Sequence, residues 1–140
     1  MNSALEGAVR GVVGAMAMTA LRQVTTGLGL VQSTPPQEIG EHGAPELLAR
    51  LGPERRRVAI ELLHWATGAG AGAAFGAAER PSRAPRWAGA LYGIGVQAAY
   101  ETTVAPLLGA PRSRPLAERV AIAADHVLFG LVLASGSRGR

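Results

Sequence analysis

Glycine recurs at every fourth position inside three apolar runs: Gly7 and Gly11, then Gly68, Gly72 and Gly76, then Gly89 and Gly93. In water, a glycine inside a helix costs about 1 kcal/mol relative to alanine and gains nothing. In lipid, the same spacing opens a flat groove in which a second helix backbone can lie close, and helices there associate through such grooves without a hydrophobic driving force. Three runs with this spacing favour backbone-to-backbone helix packing in a membrane over a soluble helical bundle, where these glycines would only weaken the helices.

The apolar runs extend from about Gly7 to Leu30, Arg57 to Ala78, Trp87 to Leu108 and Leu116 to Ser135. Each holds roughly 20 residues, enough to cross about 30 Å of hydrocarbon at 1.5 Å per residue. We therefore expect an all-α, single-domain chain, residues 1–140, of four antiparallel transmembrane helices running up-down-up-down. None of the runs is free of charge: Arg22 interrupts the first, Glu61 and His64 the second, Glu101 the third, and Asp125 with His126 the fourth. The mean hydropathy of +0.17 is low for such a protein because the runs are built from Ala and Gly rather than Leu and Ile.

Composition removes several functional classes. There is no Cys, so disulfides, thiolate metal sites and cysteine nucleophiles are excluded. All fourteen basic residues are Arg, a usage that with abundant Ala, Gly and Pro points to a GC-rich bacterial genome. The net charge of +4 sits in short clusters between apolar runs, and aromatics for base stacking are few, so no nucleic-acid partner is expected. Basic flanks of membrane helices account for the charge, and the lipid bilayer is the expected partner. Arg10 followed by Ala15-Met16-Ala17 resembles a signal peptide, but cleavage there would leave an apolar stretch of only four residues.

The connections carry their own chemistry. Ser33-Thr34-Pro35-Pro36 is expected to be extended, since proline disfavours helix in the residue before it. A short amphipathic helix is expected from Ala44, with Pro45 in its first turn, to a stop at Gly52-Pro53. Leu47, Leu48 and Leu51 share one of its faces, suited to the membrane surface or to capping the bundle. Pro81, Pro85, Pro111 and Pro115 break the other two connections. The arginine distribution separates the two sides weakly; the densest basic connection, around Arg80, Arg83 and Arg86, places both termini in the cytoplasm.

From His64 onward the chain resembles the YagU-like inner-membrane family. The residues that carry the resemblance are His64 and the glycines after it, Pro81, Trp87-Ala88-Gly89, Gly93, Gln97, Pro106-Leu107-Leu108-Gly109 with Pro111, Glu118 and His126. The first helix and Pro35-Pro36 resemble that family's N-terminal region. It departs in the shorter 37–52 loop and in Glu101, a position where the resemblance implies no carboxylate. The resemblance implies a multi-pass fold in the bacterial inner membrane and supplies no reaction.

Counted from one membrane face, Arg22, His64, Glu101 and Asp125 all lie ~11 to 13 Å deep at 1.5 Å per residue. His126 joins this level, and Glu61 lies one turn away on the face of His64. A charge at mid-helix costs about 2.5 to 3.5 kcal/mol, so these groups are expected to turn inward and pair. Arg22 is expected to pair with Glu101 or Asp125, with His64 and His126 bonding the remaining carboxylates and Gln97 extending the network. The layer reads as a clasp that also senses or relays protons. Other readings of the same residues are an accessory subunit packed on another membrane protein or on a second copy, a metal site of His64, His126, Glu101 and Glu61, or haem held by His64 and His126. No spacing is diagnostic of a metal, aromatics to line a porphyrin are few, and neither a nucleophile motif nor a nucleotide loop is present, so no cofactor, metal or catalytic residue is assigned.

Overall fold

The computed structural model describes residues 2–31, 35–78, 84–109 and 114–135, and these are helical throughout, with turns between. The elements are α1 (Ser3–Gly27), α2 (Pro35–Gly43), α3 (Pro45–Ala49), α4 (Pro53–Ala78), α5 (Arg86–Ala99), a π-helical turn (Tyr100–Val104), α6 (Ala105–Leu107) and α7 (Leu116–Leu133). Asn2 caps α1, its side chain accepting the Ala4 N–H at 2.7 Å. Pro85 and Pro115 sit as N-caps of α5 and α7.

Two expectations about the connections are corrected. Pro35 and Pro36 open α2 instead of continuing an extended segment, and α4 begins at Pro53 instead of about Arg57, while α3 starts after Ala44 and stops before Gly52-Pro53 as expected. The reason is the same for both: proline has the φ of a first helical turn, and the N–H it lacks would have had no partner there. Ser33, Thr34, Pro81 and Pro111 lie outside the described residues.

The glycines set the register of the long helices. A Cβ on Gly7 would collide with the Gly72 carbonyl, one on Gly11 with that of Gly68, and one on Gly76 with that of Ser3, so α1 and α4 run antiparallel with their backbones in contact. A second close pair joins α5 to α7, where Gly89 lies against Gly130 and Gly93 against the His126 carbonyl. Gly14 meets the ring of Phe129, which brings α1 against α7. Across the bundle the order is thus α4, α1, α7, α5. Helices α4 and α5 meet again at Tyr92, whose hydroxyl donates to the Ala71 carbonyl at 2.6 Å and whose ring lies 5.0 Å from that of Phe75. A small apolar core of Met18, Phe75, Phe129, Leu133 and Ala134 fills this end.

Beside this apolar core the long helices also bury glycine and polar groups, and they leave large apolar side chains outside. Helix α1 buries Gly7, Gly11, Gly14, Ala15, Met18 and Arg22 while leaving Leu5, Val9, Val13, Met16 and Val24 exposed. In α5, Gly89, Gly93 and Gln97 are buried and Trp87, Leu91 and Ile94 face outward. Among the described residues α1 is the one helix long and apolar enough to cross a membrane. The other three carry reasons for falling short: α4 mixes its apolar run with Glu61 and His64, α5 ends at the π turn, and α7 contains Glu118, Arg119 and Asp125. The π turn has a local cause. Pro106 has no N–H to offer the Thr102 carbonyl and its ring would press on it, and widening the helix just before the proline relieves the conflict.

Candidate functional site: a buried ionisable cluster beside a cavity

Arg22 projects from α1 into the bundle and is 8% exposed. Because α1 and α4 are in backbone contact, its guanidinium reaches α4 first. Nη1 lies 3.6 Å from the Glu61 carboxylate and Nη2 lies 3.0 Å from His64 Nε2. A guanidinium can only donate, so His64 Nε2 accepts and this ring is neutral, with its proton on Nδ1. Glu61 also accepts from the Thr19 hydroxyl at 2.8 Å. One cation and one carboxylate, with a histidine and a hydroxyl, thus tie α1 to α4 one to two turns below the last glycine contact, that of Gly68 with Ala15.

Asp125 and His126 enter from α7, 4% and 7% exposed. Asp125 Oδ1 is buried and, among the described residues, has no hydrogen-bond partner. His126 Nδ1 lies 2.9 Å from the Ile122 carbonyl, which accepts its proton and leaves Nε2 as a bare acceptor. Glu101 sits in the π turn, half-buried, and takes the Gln97 amide at 3.1 Å.

The pairing differs from the sequence expectation. Arg22 joins Glu61 rather than Glu101 or Asp125, since the glycine contacts hold α4 nearest to it. His64 accepts from Arg22, and His126 donates to a backbone carbonyl, so neither ring bonds a carboxylate. Arg22, His64, Asp125 and His126 line one cavity of about 470 Å³ between the helices. Glu61, Gln97 and Glu101 do not line it. Among the described residues no three His, Asp or Glu side chains gather as a metal site, so His64, His126, Glu101 and Glu61 form no ligand set.

A second buried polar cluster was not anticipated. Glu38 of α2, 3% exposed, accepts the Tyr100 hydroxyl at 2.7 Å and pairs with Arg114, which also binds Glu118 at 3.0 Å. It ties α2 to the π turn and to the start of α7. The only local signal was that Arg114, just before α7, stands four residues ahead of Glu118 in its first turn; Glu38 sits 76 residues from Arg114 and carried none. Gly130 was also missed, because in α7 no second glycine stands four residues away to mark it.

Compared with family models, curated proteins and solved structures, the chain matches none.

Proposed function

We propose that the chain is a multi-pass protein of the bacterial inner membrane, four antiparallel spanning helices whose buried ionisable cluster clasps α1 to α4 and loosens when His64 takes up a proton. The observation that carries this reading is the pairing of buried ionisable groups with exposed apolar helix faces. Arg22, Asp125 and His126 are buried beside a small apolar core while many Leu, Val and Trp side chains lie outside, an arrangement that exposes an extensive apolar surface to water but is at ease in hydrocarbon. The resemblance to the YagU-like family supports the same location.

Proton response follows from the polarity of one hydrogen bond. His64 holds Arg22 only as an acceptor. Protonation at Nε2 removes that acceptor and sets a second cation against the guanidinium. The groups around His64 are Arg22 from α1, Glu61 on its own helix, Asp125 and His126 from α7 and the Tyr100 hydroxyl beyond the cavity.

The test is His64→Gln, whose amide oxygen can still accept from Arg22 but cannot titrate. In lipid nanodiscs the wild type should show hydrogen exchange at the α1–α4 contact that rises as pH falls. The variant should stay closed. A pH response unchanged in His64→Gln refutes the proton role. A reporter fused after Arg140 that is active only outside the cytoplasm refutes the placement of the termini.

A further inference from the structure

The cavity beside the cluster has an unbalanced chemistry. Its walls are mainly aliphatic, with Met18, Ile122 and Phe129 on one side and Val96 and Val104 on the other. The polar groups that line it divide sharply into donors already engaged and acceptors left open. Tyr100 gives its hydroxyl proton to Glu38, Thr67 gives its own to the carbonyls of Leu63 and His64, and Arg22 is directed at Glu61 and His64 on α4. Against these stand the unpartnered Asp125 Oδ1 and the bare His126 Nε2, on adjacent residues of α7. The charge count has the same sign. The Arg22 charge is shared: it pairs with Glu61 and also acts on Asp125 and His126, so one cation stands against two carboxylates, and Asp125 has no hydrogen-bond donor of its own. A buried carboxylate without a donor is costly unless something brings it one and a positive charge.

We propose that this cavity binds an organic cation with an apolar body, a protonated amine whose ammonium group is held by Asp125 and His126 while its hydrocarbon part fills the aliphatic end. A volume of about 470 Å³ suits a small aromatic or branched aliphatic amine. Access is lateral. Leu63 of α4 and Val104 of the π turn line the cavity and yet are 41% and 38% exposed, so the cavity opens between α4 and α5 below their contact at Tyr92. In the bilayer that mouth faces hydrocarbon, from which an amphiphilic amine would enter body first or leave. The site rests on the membrane reading above but uses Asp125 rather than His64.

The experiment is isothermal titration of the full chain in phosphatidylcholine nanodiscs, with the heat of empty discs subtracted. The probes are phenethylammonium and its neutral counterpart 2-phenylethanol, which share one apolar body and differ in charge. Saturable binding of the cation, at least about tenfold tighter than the alcohol, is expected, and Asp125→Asn should remove that preference. Equal affinities would make the cavity a mere apolar pocket for solvent or lipid tails and overturn the proposal, as would full cation binding by Asp125→Asn or no saturable binding in the wild type. If Asp125→Asn fails to fold, Val96→Trp replaces it, since Val96 is a partly buried wall of the cavity. This substitution fills the cavity, leaves the carboxylate in place and should abolish binding, and undiminished binding overturns the proposal. The wild type separates the two readings: one that binds no amine but still loosens at low pH loses this site and retains the clasp, and one that binds the amine without loosening loses the clasp and retains this site.

Discussion

Two glycines of α4, two residues apart, should respond to alanine with opposite sign. Gly72 packs on α1: an ideal Cβ there would come within 2.8 Å of Gly11 Cα and 3.0 Å of its amide nitrogen, and would overlap the Gly7 carbonyl oxygen. All three are backbone atoms, so no side-chain rotation relieves the overlap. Carbon contacts settle at about 3.5–4.0 Å, so α1 and α4 must part by about 1 Å along their shared length. A gap of that size forfeits a quarter to a half of each contact along it. Alanine returns about 1 kcal/mol through helix propensity. The net cost of Gly72→Ala is about 1–3 kcal/mol, the usual range for overpacking. Gly70 has nothing within 4 Å of its Cβ position. Gly70→Ala therefore keeps only the propensity gain and should stabilise by up to about 1 kcal/mol. Both are read from unfolding in mixed micelles with rising sodium dodecyl sulfate, followed by circular dichroism. Shifts of the same sign in the two variants would refute the argument, since propensity alone cannot tell these positions apart.

Three further outcomes follow from the same packing. Arg22→Met leaves Glu61 without its cation and His64 without its donor, and should destabilise the bundle by about 2–3 kcal/mol; adding Glu61→Gln should restore part of this in a double-mutant cycle. Tyr100→Phe removes the hydroxyl that holds Glu38, so hydrogen exchange in α2 should quicken by an opening energy of about 1–2 kcal/mol while α1 and α4 are unchanged. Gly130→Ala drives a methyl into the Gly89 backbone and should cost about 1–3 kcal/mol in the same micelle assay, whereas Gly95→Ala, with open space around it, should not destabilise.

Helicity and the glycine contacts were legible along the chain because both follow from local rules. Glycine at every fourth residue lies on one helix face whatever that face meets, and a charged side chain inside an apolar run has to be buried by something. Those rules identified Gly7, Gly11, Gly68, Gly72, Gly76, Gly89 and Gly93, and they marked Arg22, His64 and Asp125 as inward-turning before any partner was known. They did not identify partners. Arg22 was expected across the bundle at Glu101 or Asp125, and it is Glu61 that it meets, because the glycine contacts hold α1 directly against α4 and leave α5 on the far side of α7. Rotation about a helix axis decides which neighbour a side chain reaches, and that rotation is set by packing along the whole helix rather than by the residue itself. The cluster of Glu38, Tyr100 and Arg114 was invisible for a related reason: its members come from three separated segments, and the π turn that positions Tyr100 arises from a proline six residues later. The cavity, with its acceptors open and its donors engaged, is the property furthest from the sequence, since it is the space that four helices leave between them once glycine has fixed how closely two pairs can lie.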